Sequence, residues 1–302
     1  MGGGSYSYSA SVSRGDVYKT KSSSEIFKQK SINNAMSPYG IKFRESRDSD
    51  EHPTSYPIII NLDVTGSMGS IPNYIVKTGL PNIMKKIMDA GIAHPQILFN
   101  AIGDHTCDDA PLQVGQFESS DELLDHWLTT VWLESGGGGN DGESYLLSWY
   151  FAGKHTSIDS FEKRNQKGVC ITIGDEKTLK QVTSSDLKEL MGPGQYDTAT
   201  AAELLEQAEK LYHCYHIHIT STRAGGEKAT QDHWKQLMGS NVIFLEDKEK
   251  IDQTIADLVI REYKNLSSSA SGTISFTEID ATDASVIDDI KPEALLIGGK
   301  VS

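Results

Sequence analysis

The chain has 302 residues and a formal net charge of −14, which comes from 28 basic and 42 acidic residues. Such an acidic chain has no general electrostatic attraction to nucleic acids or anionic membranes, and it tolerates divalent cations and basic partners better. No apolar run approaches the roughly 18 residues that a membrane-spanning helix needs. We therefore expect a soluble protein that binds neither nucleic acid nor membrane.

The three cysteines, Cys107, Cys170 and Cys214, show no C-x-x-C spacing. Because they are few and odd in number, they are typical of free thiols in a reducing compartment rather than of a disulfide framework. The first residues, MGGGSYSYSA, lack the apolar segment that a secretory signal peptide carries. The sequence therefore predicts a cytoplasmic protein.

Two flanking segments differ in composition from the middle of the chain. Residues 1–55 predict a partly extended N-terminal arm with one short helix over SSSEIF, where a Ser caps and Glu25 lies in the first turn. The arm ends in the charged run RESRDSDEH, which is typical of a solvated segment. Because this run leads directly into the first strand, the alternative is that it docks against the domain. Residues 265–302 predict an acidic tail rich in Ser and Thr. Residues 56–264 predict a single folded domain.

Apolar runs alternate with helical patterns inside residues 56–264. The runs predict buried strands at YPIIINLDV, QILFNAI, GVCITIG, HCYHIHI and NVIFLE, and a short edge strand at LQVGQF. The helical patterns follow between them, at SSDELLDHWL, GESYLLSWYFAG, TATAAELLEQAEKLY, EKATQDHWKQLM and KEKIDQTIADLVIREY. This alternation predicts an α/β fold with a doubly wound, mostly parallel six-stranded sheet and helices on both faces.

The first predicted helix has an internal irregularity. Pro81 lies within the helical pattern and predicts a break or kink near Gly79, because proline lacks the backbone N–H that the helix needs. The residues expected on the buried face of this helix are Leu80, Ile83, Met84, Ile87 and Met88.

The loop after the first strand carries three oxygen-bearing side chains at alternating positions. Asp63, Thr65 and Ser67 lie in DVTGSMG, directly after YPIIINL. In open α/β sheets ligands bind beyond the carboxyl ends of the strands, and oxygen side chains are the ligands that hard cations such as Mg²⁺ take. The pattern therefore predicts a divalent-metal site. The alternative is a cluster that only caps the following helix.

The segment IIINLDVTGSMG resembles the metal-ion-dependent adhesion site of von Willebrand factor type A domains, whose pattern is D-x-S-x-S, with Thr65 at the middle position. The resemblance covers roughly residues 55–264, and the wider sequence is similar to a group of uncharacterised bacterial and phage proteins with this domain. The family also has an acid at the end of the fourth strand, and Asp175 in ITIGDE matches it. The resemblance implies Mg²⁺, or else Mn²⁺ or Ca²⁺, held by Asp63, Thr65, Ser67 and Asp175.

The sequence departs from the family pattern at one further ligand. The family has a Thr in the loop before the third helix, and in ESGGGGNDGESY that position falls on Gly139, which has no side chain. Asn140 or Asp141 can substitute through a shifted loop. The loops at this carboxyl edge of the sheet form a rim around the predicted ion. Its other acids are expected to surround the ion or to contact a partner: Asp104, Glu143 and Glu176.

Three other patterns admit a functional and a structural interpretation. GDHTCDDA (103–110) can form a second metal site, but a polar turn with solvated carboxylates is favoured. His216 and His218 have a spacing that occurs in zinc sites, but without a third ligand nearby they are interpreted as core histidines. The run GGGG (136–139) lacks the lysine of a phosphate-binding loop, so a flexible loop is favoured over nucleotide binding.

The resemblance implies a binding module rather than an enzyme. Adhesion-type sites leave one coordination position of the ion open for a Glu or Asp of a partner protein. The expected partner is a subunit of a bacterial or phage multiprotein assembly, such as an AAA-type ATPase.

Two other functions compete with this interpretation. DVTGS is similar to the motif of haloacid-dehalogenase-type phosphatases, but Thr65 stands where those enzymes have a second Asp as general acid, and a threonine cannot fill that role near neutral pH. RNA binding, as in Ro-like proteins that also carry a type A domain, is opposed by the acidic charge.

Overall fold

A central sheet of six strands organises the fold. The computed structural model describes residues 4–68, 70–134 and 142–271, and it describes side chains as far as residue 266. The strands in chain order are β1 (Arg44–Ser46), β2 (Tyr56–Asp63), β3 (Pro95–Ile102), β4 (Leu112–Val114), β5 (Gly142–Glu143), β6 (Thr156–Ile158), β7 (Gly168–Gly174), β8 (Lys177–Thr178), β9 (Gln181–Val182), β10 (Ala199–Thr200), β11 (Tyr212–Ile219) and β12 (Val242–Leu245). The central sheet has the order β12-β11-β7-β2-β3-β4. All its neighbours are parallel except β4, which pairs antiparallel with β3 at one edge.

Helices cover both faces of this sheet. In chain order they are α1 (Tyr8–Lys19), α2 (Ser23–Ile26), α3 (Ser70–Tyr74), α4 (Leu80–Asp89), α5 (Asp121–Thr129), α6 (Tyr145–Lys154), α7 (Asp159–Arg164), α8 (Ser184–Met191), α9 (Ala201–Glu209), α10 (Lys228–Met238) and α11 (Ile251–Ser271). One core layer holds residues of α4, α5 and α11, and the other holds residues of α6, α8, α9 and α10. The predicted α/β fold with a doubly wound, mostly parallel six-stranded sheet is confirmed.

The central strand β2 shows why the sheet is buried on both faces. Every residue of Tyr56–Asp63 is buried. Ile58 and Ile60 belong to one core layer, whereas Ile59 belongs to the other. This division follows from the period-two alternation of side chains along a strand. An apolar run of this kind is stable only between two layers of helices, and it brings Asp63 to the carboxyl edge of the sheet.

The helix after β2 is irregular where proline predicted a kink. A π-helical turn over Ile75–Gly79 separates α3 from α4, and Pro81 occupies the first turn of α4, where its missing N–H is tolerated. Four of the five apolar residues predicted on the buried face are buried: Leu80, Ile83, Met84 and Ile87. The prediction was wrong for Met88, which is 38% exposed, because at about 100° per residue its position lies at the margin of the face formed by the other four.

The N-terminal arm is more ordered than the sequence predicted. Tyr8–Lys19 forms the helix α1 instead of an extended segment, and the short helix predicted at SSSEIF is present as α2. Ser7 caps α1, but tertiary contacts hold it: Arg14 pairs with Asp121 of α5, and the Tyr18 hydroxyl donates to Asp125. These contacts are invisible to a local pattern, which explains the error.

The charged run before the domain follows the docked alternative, and the last helix extends into the expected tail. The run RESRDSDEH docks on the domain: β1 pairs in parallel with β6, and Arg47 contacts Asp159 at 2.9 Å. Helix α11 continues to Ser271, beyond the expected start of the tail at residue 265. Among the described residues, no helix is long and apolar enough to cross a membrane.

Candidate metal centre

Asp63 ends β2 and organises the loop that follows. Its side chain is fully buried, and Oδ1 accepts hydrogen bonds from the Thr65 backbone N–H at 2.9 Å and from the Thr65 hydroxyl at 2.6 Å. Asp63 therefore closes a turn with Thr65, and both of these donors lie before the helical turn Gly66–Met68, so the contacts cap no helix N–H. This arrangement holds Asp63 and Thr65 together at the sheet edge without excluding a cation.

Ser67 and Asp175 meet at the same edge, although they are far apart in the sequence. Asp175 follows β7, the strand beside β2, and the Ser67 hydroxyl donates to Asp175 Oδ1 at 3.0 Å. Ser67 is exposed at the rim, whereas Asp175 is fully buried. Within the described part of the chain, Asp175 Oδ2 has no hydrogen-bond partner. A buried carboxylate oxygen without a partner is costly, and a cation would satisfy it.

Tyr145 contacts the site although sequence reasoning missed it. It lies in the first turn of α6, is fully buried, and donates from its hydroxyl to Asp63 Oδ2 at 2.6 Å. Gly174 makes room for this phenol, since a Cβ atom at that position would lie 1.7 Å from the tyrosine oxygen. The pattern YLLSWYF reads as apolar core, so the only signal in the sequence was the position of Tyr145 just after a rim loop.

Burial and neighbouring carboxylates raise the pKa values of two acids at this edge of the sheet. Burial, together with the nearby Asp175 carboxylate, raises the pKa of Asp63 to about 7. Burial and the carboxylates of Asp63, Glu176, Asp108 and Asp104 raise the pKa of Glu143 to about 10. The charged neighbours that shift both groups are all acids. A divalent cation would neutralise them, so the donor set fits such an ion.

The loop 103–111 repeats the local geometry of Asp63 and Thr65. Asp104 is buried, and its Oδ1 accepts from both the backbone N–H and the hydroxyl of Thr106 at 2.8 Å. Asp108 accepts from the Asp104 N–H at 2.7 Å. The residues form a hydrogen-bonded polar turn, although Asp104 is not solvated as expected. Among the described residues, no group of three His, Cys, Asp or Glu side chains is placed to hold a metal by itself, so hydroxyls and water must complete any ion site.

The rim loop before α6 is described only in its last residues. Gly142 and Glu143 form β5, which pairs in parallel with β8 just after Asp175. This pairing places Glu143 and Glu176 on the same rim as Asp63. The suggested substitutes for the missing threonine, Asn140 and Asp141, lie outside the described residues.

The two histidines of β11 lie in the core. His216 and His218 are fully buried, and the His216 ring stacks on Trp234 with centroids 3.5 Å apart. His216 also contacts the Thr172 hydroxyl at 2.9 Å, and burial lowers its pKa well below the usual value, so it is neutral. This geometry agrees with the core interpretation rather than with a zinc site. The three cysteines are free thiols.

A Ser–His–Asp sequence of contacts lies beside the rim. Ser144 Oγ is 2.7 Å from His105 Nδ1, and His105 Nε2 is 3.8 Å from Asp186. Ser144 is fully buried and its oxygen also accepts from the His105 backbone N–H at 2.8 Å. A substrate cannot reach such a hydroxyl, so these contacts fix the loop instead of forming a nucleophile.

A cleft opens beside Ser67. Its volume is about 390 Å³, and it lies between the metal loop and the loops that follow β11 and β12. The loop after β12 contributes three acids, Glu246, Asp247 and Glu249, and one base, Lys248, which donates to the Ser70 hydroxyl at 3.0 Å. This loop is not among the rim loops predicted from the sequence.

Comparisons with known proteins give weak likenesses only. No family model matches the chain, and no curated protein matches it. Among solved structures, the pilus adhesin SpaC from Lactobacillus rhamnosus GG has 10% identity and a TM-score of 0.45, over 72% of this chain and 31% of that one. A von Willebrand factor type A structure from Catenulispora acidiphila has 13% identity and a TM-score of 0.41, over 76% of this chain and 51% of that one.

A third similar structure is an aerotolerance-related membrane protein from Bacteroides fragilis, with 10% identity and a TM-score of 0.41, over 68% of this chain and 99% of that one. The chain thus spans less than a third of the SpaC structure and about half of the Catenulispora structure. Likeness at this level assigns neither a family nor a function, so the function has to be argued from the site.

Proposed function

We propose that the chain is a divalent-metal-dependent protein-binding module of the von Willebrand factor type A kind. Asp63, Thr65, Ser67 and Asp175 would hold Mg²⁺, or else Mn²⁺ or Ca²⁺. The observation that carries the proposal is the 3.0 Å contact between Ser67 and Asp175, which joins two loops 108 residues apart in the sequence. The motif alone requires only that Ser67 follow Asp63, whereas a metal site also requires the acid from the neighbouring strand.

The charge of the site supports a cation. Asp63 and Asp175 are both fully buried, and one oxygen of Asp175 lacks a partner among the described residues. Two buried carboxylates side by side repel each other unless a proton or a cation lies between them. An ion would use the exposed hydroxyl of Ser67 as its contact nearest to solvent, which leaves its outer side open to a partner.

The proposed partner is a protein that donates a Glu or Asp carboxylate to the ion, within a bacterial or phage multiprotein assembly that can include an AAA-type ATPase. The cleft beside Ser67 adds a condition on this partner. Its loop carries three acids, Glu246, Asp247 and Glu249, against the single base Lys248. A metal-bound acid would be repelled there unless Lys or Arg residues flank it, so we expect a partner with basic residues around its acid.

Calorimetric titration with Mg²⁺ and Mn²⁺ tests the ion site. Wild type should bind, and Asp63→Ala should lose at least about tenfold in affinity, equivalent to about 1.4 kcal/mol. Asp109→Asn, which removes an exposed acid of the rim, is the matched control and should bind like wild type. Equal binding by wild type and Asp63→Ala would show that these residues only cap a turn.

A pulldown from the native host with and without chelator tests the partner. Capture should require the divalent ion, fail with Asp63→Ala, and weaken as salt rises, because the flanking charge pairs are exposed and screened. Cross-linking mass spectrometry on the captured complex should place contacts in the loops 63–70 and 246–249. Contacts confined to the opposite edge of the sheet, with capture indifferent to chelator, would exclude this surface as the interface.

A further inference from the structure

Glu143 is a buried acid whose side chain the described hydrogen bonds do not satisfy. Glu143 is only 5% exposed, and within the described part of the chain its Oε2 atom has no hydrogen-bond partner. A buried carboxylate oxygen without a donor is among the most costly groups that a folded protein can contain, and it demands a compensating proton or cation. The turn geometry that accounts for Asp63 does not account for Glu143.

Two backbone contacts hold Glu143 above the carboxyl end of β2. On one side, Ser144 donates its N–H to the Gly103 carbonyl at 2.9 Å, and Gly103 follows Ile102, the residue paired with Asp63. On the other side, Glu143 pairs with Thr178, and the Leu179 N–H donates to the Glu143 carbonyl at 2.9 Å. Glu143 is therefore fixed between the loops that follow the two strands flanking β2.

Tyr145 fixes the chain just after Glu143 to the same strand end. It lies two residues after Glu143, and its hydroxyl donates to Asp63 Oδ2 at 2.6 Å. The backbone of Glu143 is therefore held near Asp63 from the helix α6 as well as from the two loops. Within the described part of the chain, Asp175 and Glu143 each have one carboxylate oxygen without a hydrogen-bond partner.

We propose that Glu143 is a further member of the ion site and contacts the ion through one of the ion's waters. It would stand in for the threonine side chain that the sequence lacks at Gly139. This inference rests on the proposed function, because it assigns a residue to the same ion. No three acids of the described chain are placed to hold a metal by themselves, so the hydroxyls of the motif and water remain part of the coordination shell.

A third carboxylate changes what the site can do. Asp63 and Asp175 alone would offset the charge of a divalent ion, and with few charged ligands the affinity for Mg²⁺ would be weak. Glu143 adds charge and would raise the affinity for the ion. It also leaves the loaded site with an excess negative charge, which strengthens the need for basic residues around any acid that a partner brings.

The test is Glu143→Gln, which keeps the size of the side chain and removes its charge. Mn²⁺ affinity should fall by about 10-fold to 100-fold in calorimetry, the usual range for losing a group that supports a metal. In chelator, the variant should be at least as stable to heat as wild type, because the buried acid at position 143 no longer has to be compensated. The gain in Tm on adding Mn²⁺ should shrink in proportion to the lost affinity. Asp109→Asn, an exposed rim acid, is the matched control and should change neither quantity.

The outcomes separate this inference from the proposed function. If wild type and Glu143→Gln bind Mn²⁺ equally while Asp63→Ala does not bind, Glu143 is no ligand and the four-residue site stands. If Glu143→Gln is less stable than wild type in chelator and unchanged in Mn²⁺ affinity, the residue has a structural role only. If wild type binds no Mn²⁺, both the site and this extension of it are wrong.

Discussion

The phenol oxygen of Tyr145 lies 2.6 Å from Oδ2 of Asp63, so the first turn of α6 is tied directly to the carboxyl end of β2. The other oxygen of Asp63 is occupied by Thr65. Both oxygens of Asp63 therefore accept hydrogen bonds, whereas Asp175 Oδ2 has no partner among the described residues. Tyr145 thus fixes the orientation in which the Asp63 carboxylate would meet an ion.

Removing the Tyr145 hydroxyl should destabilise the ion-free protein. In Tyr145→Phe, one oxygen of a buried acid loses its donor, and such a loss costs about 1–3 kcal/mol in the free energy of unfolding. Urea denaturation in chelator measures the loss. Saturating Mg²⁺ should reduce it, because the ion then compensates Asp63. Tyr150→Phe, on the same helix but with its ring against His155, is the control. An equal effect of the two variants would contradict a special role for Tyr145.

Stability of the ion-free protein should fall as pH rises towards neutrality. The pKa of Asp63 is raised from 3.8 to about 7, so between these values the native state holds a proton that the unfolded state has released. The stabilisation from this group is complete below the unfolded pKa and is lost as pH rises through about 7. Urea unfolding from roughly pH 5 to pH 8 in chelator measures the slope. In a thermal unfolding experiment, each kcal/mol of lost stability would correspond to a fall of about 2–4 °C in Tm. Asp63→Asn should have a smaller slope. A flat wild-type profile in chelator would disprove the assignment.

The N-terminal helix should depend on a glycine contact. A Cβ atom on Gly15 would lie 2.5 Å from the Lys77 carbonyl oxygen in the π turn, so α1 and that turn touch through their backbones. Gly15→Ala should push α1 away and cost about 1–3 kcal/mol, as overpacking does. Proteolysis near the N-terminus should become faster. Ser13→Ala, an exposed change in the same helix, should leave both quantities close to wild type.

The protein should show no phosphohydrolase activity. Thr65, which donates to Asp63 at 2.6 Å, stands where a phosphatase of the haloacid-dehalogenase type needs a general acid. With Mg²⁺ present, wild type should turn over a generic phosphate ester no faster than Asp63→Ala. Metal-dependent turnover that disappears in Asp63→Ala would instead favour an enzyme.

The sheet and the first four candidate ligands were accessible from the sequence for physical reasons. A run such as YPIIINL is too apolar to face water, so β2 had to be central, and the end of a central parallel strand is where loops converge. Asp175 follows another such run, GVCITIG. Its approach to Ser67 could thus be expected from two strand ends and a motif, without any knowledge of the loops between them.

The remaining features depend on contacts between distant segments. Helix α1 has no clear amphipathic pattern and is held by pairs such as Arg14 with Asp121. Tyr145 looked like an ordinary core aromatic, and nothing in its neighbours indicated that its hydroxyl meets Asp63. The cleft beside Ser67 arises from the loop 246–249, which follows an edge strand and has no motif. In each case the decisive partner is at least 82 residues away in the sequence, where local patterns carry no information.

The π turn at Ile75–Gly79 fixes the angular phase of the segment that carries Ser67. Each residue of an α-helix rotates the chain by about 100° around the helix axis. One additional residue in a single turn therefore rotates the preceding segment by that angle relative to α4. Deleting one residue of the turn would restore a regular helix, but it would also have to rotate α3 or α4 out of its packing. The length of this turn therefore aligns the preceding segment with the core, and single-residue deletions there should be less tolerated than conservative apolar substitutions.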